Sequence, residues 1–274
     1  MRKILPFTLL SCIFFLACGK NVITIPQKET VKKADVLTIP ESEISLFKIP
    51  VTFYKKYIML GDDLENSIPI VSAQGVSDTA LYQAKIACTI ITKTLPISVL
   101  NMLRKQRIYL VIFGNKEYPD ALPGWPANLD AKRYAGGYGP NMPGATCGIH
   151  EGDILNNSFD RYPAENIVIH EFGHAVKNFG LEKIYPNFKD RIAKLWTHAK
   201  ETGLWSNTYA ISNADEYFAE GIQTYFDLNT KGPVGGDGIH NEIHTRAQFK
   251  TYDPDFFNLL NEIYGGINMP TSIK

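Results

Sequence analysis

The chain has 274 residues, enough to bury a sizeable core, and its 28 basic and 28 acidic residues cancel to a formal net charge of zero. That balance excludes the basic excess of a typical nucleic-acid binder, so no nucleic-acid partner is expected. With 14 Tyr, 15 Phe and 3 Trp, the composition also excludes a disordered chain.

In chain order, Arg2 and Lys3 precede an apolar run over 4–17 that is too short to span a bilayer comfortably. The run ends in Phe15-Leu16-Ala17-Cys18-Gly19, which resembles a bacterial lipoprotein signal with Cys18 as the lipidated first residue of the mature chain. Leu9-Leu10-Ser11-Cys12 matches by residue type but leaves a very short hydrophobic region, and a plain secretory signal is the alternative. Each reading exports the protein, either secreted or held at a membrane or cell surface by the lipid alone. Residues 1–18 are then the signal, and 19–46, rich in Lys, Thr, Glu and Pro, a flexible tether. A single domain, expected to be monomeric, is expected over 47–274. Export leaves Cys88 and Cys147 as the only cysteines, so one disulfide is possible, with a buried free thiol as the alternative at Cys88.

Within the domain, 51–60 alternates like a strand, and Ser77-Asp78 opens a helical pattern that Pro96 ends. A shorter helix runs through Leu103, and 107–113 reads as a central strand closed by Gly114-Asn115. Residues 114–148 are dense in Gly and Pro, too long a segment for a casual loop. Inside it, Arg133-Tyr134-Ala135-Gly136-Gly137-Tyr138 has the character of a short edge strand, able to pair with an extended substrate through Gly136, Gly137 and Tyr138. Amphipathic helices follow at 187–202 and 213–228, then a glycine-rich turn at 232–238. Asp253-Pro254 starts a last helix that stops at Gly265-Gly266.

The stretch Asn166-Ile167-Val168-Ile169-His170-Glu171-Phe172-Gly173-His174-Ala175-Val176 carries the chemistry. Histidines four apart lie on one helical face, so both imidazoles can reach one metal ion, with Glu171 offset by about 100°. This HExxH arrangement supplies two zinc ligands and a carboxylate able to take a proton from a water at the metal. A catalytic zinc takes three protein ligands and keeps one position open. A third histidine in the HExxHxxGxxH manner is ruled out by Lys177 and Gly180, which leaves a glutamate on a later helix. Glu216 and Glu220 in Asn213-Ala214-Asp215-Glu216-Tyr217-Phe218-Ala219-Glu220 are both available, although Asn213 and Glu216 also have the spacing of a capping box.

These two segments, together with Tyr209-Ala210-Ile211-Ser212, resemble the catalytic domains of the anthrax lethal factor family and the related Pro-Pro endopeptidases over residues 160–228. The resemblance implies an α+β zincin-like fold with a small mixed sheet, an active-site helix and a helical C-terminal half. It implies one zinc ion per chain held by His170, His174 and Glu216. Glu171 is then the general base and Tyr209 the donor to the oxyanion, and a polypeptide is the substrate. The sequence is also similar to a group of exported bacterial proteins sharing E-N-I-x-I-H-E-F-x-H and G-L-W-x-x-T-Y-A, which implies nothing about substrate. Glu220 is the candidate for hydrogen-bonding a ligand histidine or positioning Glu216, with a surface helix role as its alternative. His240, in a loop packed over the site, is a candidate substrate contact. His240 and His244 repeat the four-residue spacing without a buried helix to carry it. Two rivals to a peptidase stand: a metal-binding module without turnover, and a zinc hydrolase of cell-wall peptide amides.

Overall fold

The computed structural model describes residues 36–61, 67–123, 125, 136–139 and 146–265. Helix α1 (Glu41–Phe47) leads into strands β1 (Tyr54–Leu60) and β2 (Ile68–Ala73), then helices α2 (Asp78–Thr92) and α3 (Ile97–Lys105). Strands β3 (Tyr109–Phe113), β4 (Gly136–Gly139) and β5 (Thr146–His150) precede the helices α4 (Glu151–Leu155), α5 (Ile167–Ala175) and α6 (Glu182–Ile184). A π-helical stretch, Val176–Leu181, joins α5 to α6. The C-terminal half is helical: α7 (Phe188–Thr202), α8 (Ala214–Tyr225), α9 (Arg246–Tyr252) and α10 (Pro254–Tyr264).

The fold class is α+β with a small mixed sheet. Its order is β1-β2-β3-β5-β4, with β2, β3 and β5 parallel and both edge strands antiparallel to their neighbours. The β3 strand is buried at every position, which a central parallel strand requires. The larger core lies between one face of the sheet and helices α2, α3, α5, α7, α8 and α10, and Leu110, Ile112 and Ile149 meet Phe172 and Phe218 within it. On the other face, Tyr54, Tyr57, Tyr109, Phe113 and Trp125 form a smaller aromatic layer with Phe47 of α1. No helix among the described residues is long and apolar enough to cross a membrane.

Residues 37–46, expected to belong to a flexible tether, are instead held in the fold. Leu37 pairs with Tyr57 through backbone hydrogen bonds of 2.7 and 2.9 Å, Ile39 is buried, and Glu43 is fully buried against Arg104 at 2.8 Å. The charged composition of this stretch concealed an inward face of Ile39, Glu43 and Phe47. Cys88 and Cys147 are buried free thiols, and burial raises the pKa of each.

Candidate metal centre

Helices α5 and α8 build the site, and their ends are tied together. Asn166 caps α5 through Oδ1, which accepts the Ile169 N–H at 3.1 Å. Its own N–H donates to Leu228 O just past α8 at 3.1 Å. Ile169 and Phe172 are fully buried on the inward side of α5. Gly173 faces α8, and a Cβ there would stand 2.9 Å from Ile222 Cδ1, so the close helix contact explains a residue that costs about 1 kcal/mol in a helix. At the start of α8, Asn213 Oδ1 accepts the N–H groups of Asp215 and Glu216 at 2.9 and 3.0 Å. Buried Lys177 then donates to Asp215 Oδ1 at 2.7 Å and Glu182 Oε1 at 2.5 Å, fastening the first turn of α8 to the segment after α5.

Three donor atoms converge as a result. His170 Nε2 is 3.0 Å from Glu216 Oε2, His174 Nε2 is 3.3 Å from the same oxygen, and the two Nε2 atoms are 3.2 Å apart. Ligands bound to zinc at about 2.0–2.1 Å in tetrahedral directions stand about 3.3–3.5 Å from one another. The triangle is close to that size.

Behind His170, Nδ1 faces two acceptors, Gln223 Oε1 at 2.9 Å and Glu220 Oε1 at 3.3 Å. The Gln223 amide is oriented by its Nε2 donating to Asn166 O at 3.3 Å. The hydrogen of a neutral His170 therefore sits on Nδ1, and Nε2 turns a lone pair into the triangle. Lone pairs from two imidazoles and a carboxylate crowded at this distance repel unless something positive lies among them. The residues present fit a metal ion. Gln223 was not singled out from the sequence, although its position three after Glu220 and seven after Glu216 puts it on the same helical face.

Tyr209 stands at the rim, 42% exposed, in the single helical turn Tyr209–Ile211. Its ring centroid is 6.4 Å from that of His170, and its phenol is close enough to interact electrostatically with Glu216. The Tyr209 N–H donates to Ile239 O at 2.8 Å, and Trp196 Nε1 donates to Ile211 O at 3.0 Å, which hold this turn in place. Glu171 follows His170 on α5, partly buried and close enough to interact electrostatically with both imidazoles and with Glu216. Gly136, Gly137 and Tyr138 lie in the edge strand β4, which among the described residues pairs with β5 alone and lies beside α5.

No protein-family model and no curated protein matches the sequence. Among solved structures, the chain is similar to the Pro-Pro endopeptidase of Paenibacillus alvei at a TM-score of 0.42 and 16% identity, covering 70% of this chain and 96% of that one.

The cluster is electrostatically poised for a cation. Burial alone would lower the His170 pKa, but Glu216 and Glu220 outweigh it and raise it well above the ordinary value. Burial would raise Glu216, yet the two imidazoles hold its carboxyl well below the usual range. The pull that would keep a proton on His170 is the negative potential that also favours a metal ion. Glu171 is raised by burial, and the nearby histidines only partly offset this. Tyr209 is raised by burial and then by Glu216, so its phenol keeps its proton at neutral pH.

The remaining histidines are held in other ways. His240 was expected beside the substrate, but its imidazole turns inward, with the side chain 10% exposed and Nε2 2.9 Å from Glu165 Oε1. The loop is braced by its own backbone hydrogen bonds, and these direct the ring into the protein. His244 Nδ1 is 2.9 Å from Glu242 O. His150, buried at the end of β5, accepts the Gly152 N–H at 3.1 Å on Nδ1. Cys18 lies outside the described residues.

Proposed function

We propose that this chain is a zinc-dependent endopeptidase that cleaves an extended polypeptide. The observation that carries the reading is the convergence of His170 Nε2, His174 Nε2 and Glu216 Oε2 within 3.0–3.3 Å, with Glu171 on the same helix and the Tyr209 hydroxyl at the rim. Two neutral nitrogens and one carboxylate are a donor set suited to zinc, and they leave room for a fourth partner. Zinc, when bound, supplies Lewis acidity and acidifies a water at the site.

The chain's own residues do the rest. Glu171, its proton affinity raised by burial, takes a proton from water and delivers it to the leaving amine. Tyr209, protonated at neutral pH, donates a hydrogen bond where negative charge develops on the scissile carbonyl oxygen. Gln223 accepts from His170 Nδ1 and, with the Glu220 carboxylate beside it, fixes the ring. The edge of β4 away from β5, open among the described residues, offers backbone N–H and C=O groups to a substrate strand, so Gly136, Gly137 and Tyr138 supply register and need not supply side-chain recognition. Export through the N-terminal signal, with lipidation at Cys18, places this activity outside the cytoplasm.

Peptide-library profiling of the full chain tests the reading. Cleavage should be present in the parent and absent in Glu171→Gln while zinc stays bound. Zinc binding without cleavage of any peptide by the parent would replace the peptidase with a metal-binding module.

A further inference from the structure

Behind the metal centre lies a second group of histidine and glutamate side chains. Glu165, Glu220 and His240 each bring a donor atom within 4.8 Å of the other two, and their side chains are 8%, 5% and 10% exposed. Glu165 immediately precedes the Asn166 cap of α5, Glu220 lies on α8, and His240 arrives from the loop after α8. That loop is firmly held. Asp237 Oδ1 accepts the N–H groups of Ile239 and His240 at 2.9 and 2.8 Å, Gly232 N donates to Asn241 O at 2.7 Å, and Asn207 Nδ2 donates to Gly236 O at 2.7 Å.

Two carboxylates buried this close repel each other, and an unpaired buried charge is costly. His240 Nε2 stands 2.9 Å from Glu165 Oε1. Burial lowers the pKa of this imidazole, but Glu165, Glu220 and Asp237 outweigh it and raise it. Glu220 in turn touches the metal centre: Oε1 is 3.3 Å from His170 Nδ1, while Oε2 accepts Asn229 Nδ2 at 3.0 Å. A carboxylate beside Nδ1 adds its negative charge to the hydrogen bond from Gln223 and makes the opposite ring nitrogen a better ligand than the neutral amide alone does.

We propose that His240 is a positioning residue for the metal centre, supplying the positive charge that lets Glu220 remain against His170 with Glu165 close by. The inference rests on the reading of His170 as a metal ligand. Without the imidazole, Glu220 is driven away from Glu165 and withdraws its negative charge from Nδ1, where the neutral Gln223 amide at 2.9 Å then acts alone.

Zinc affinity of the full chain, measured by competition with a chromophoric chelator, tests this. His240→Gln should weaken zinc binding about 10–100-fold. Adding Glu165→Gln to that variant should restore affinity to within about twofold of the parent, because the repulsion is gone. A merely structural His240 would not be rescued by removing its partner as well. Glu165→Gln alone keeps His240 beside Glu220 and should bind zinc as the parent does, so the test survives if His240→Gln fails to fold. Unchanged affinity in His240→Gln, no recovery in the double variant, or a loss in Glu165→Gln alone would each overturn the inference. A second zinc equivalent in the parent that vanishes in His240→Gln would overturn it too, by making the group a cation site. A parent chain that binds no zinc would instead defeat the metal-centre reading itself.

Discussion

The two histidine–glutamate clusters use the same residue types, lie side by side against α8, and differ in proportion. His170, His174 and Glu216 combine two imidazoles with one carboxylate, whereas Glu165, Glu220 and His240 combine one imidazole with two carboxylates. The first offers two neutral lone pairs and one charge, which suits a dication with a position to spare. The second can close on itself as an ion pair carrying one surplus negative charge, and that charge bears on His170 from behind. Residue type alone therefore does not make a metal site. What decides is how many nitrogens face how many carboxylates, and which ring atom each carboxylate touches.

The largest effect that sharpens this contrast is expected from Glu171→Gln, which keeps the first cluster's donors and removes the proposed base. Its kcat should drop about 10²–10⁴-fold with zinc content unchanged, by steady-state kinetics and metal analysis on the same sample. Loss of zinc in that variant would make Glu171 part of the metal cage instead. Tyr209→Phe comes next, removing a donor at the rim at a cost of about 10²–10³ in kcat and little in KM. A larger change in KM than in kcat would assign Tyr209 to substrate binding.

A third buried pair, His150 and Asp153, provides the control because it has one histidine, one carboxylate and, among the described residues, no third donor grouped with them. His150 Nδ1 is 3.9 Å from Asp153 Oδ1, and Asp153 Oδ2 is buried with no hydrogen-bond partner. Burial raises the Asp153 pKa from 3.8 to about 7. The folded state therefore holds this proton more tightly than the unfolded chain. That stabilisation is complete below about pH 4 and fades as the pH rises through about 7. Between pH 5 and 8, urea melts should show Asp153→Asn gaining about 2 kcal/mol relative to the parent. A constant difference across that range would mean that Asp153 is already ionised. The smallest effect is at the α5–α8 contact. Gly173→Ala should cost about 1 kcal/mol net, because pressure on Ile222 is partly offset by the roughly 1 kcal/mol that Ala gains over Gly in a helix, and Ile222→Val should recover part of it in the double variant.

Much of this arrangement could be read from the sequence, because helical periodicity carries it. The spacing of His170 and His174, and of Glu216 and Glu220, puts each pair on one face whatever surrounds it. The sheet was harder to read. β2 contains Pro69 and alternates poorly because both of its faces are covered. Pro69 is tolerated because pairing with β3 begins one residue later, at Ile70. β5 was absorbed into the glycine-rich segment. Gly148 belongs there because a Cβ would stand 2.7 Å from the Trp125 ring, a tertiary contact that local composition does not announce. α9 was missed although Thr245 and Gln248 form a capping box. The direction of His240 could not be read at all, since it depends on how Asp237 and Asn207 fold the loop.

Metal analysis of the full chain beside His174→Ala tests the central geometry most directly. About one zinc per chain in the parent, lost in the variant while the fold is retained by circular dichroism, is the expected result. No zinc in the parent, or the same zinc content in both, would contradict convergence of His170, His174 and Glu216 on a shared ion.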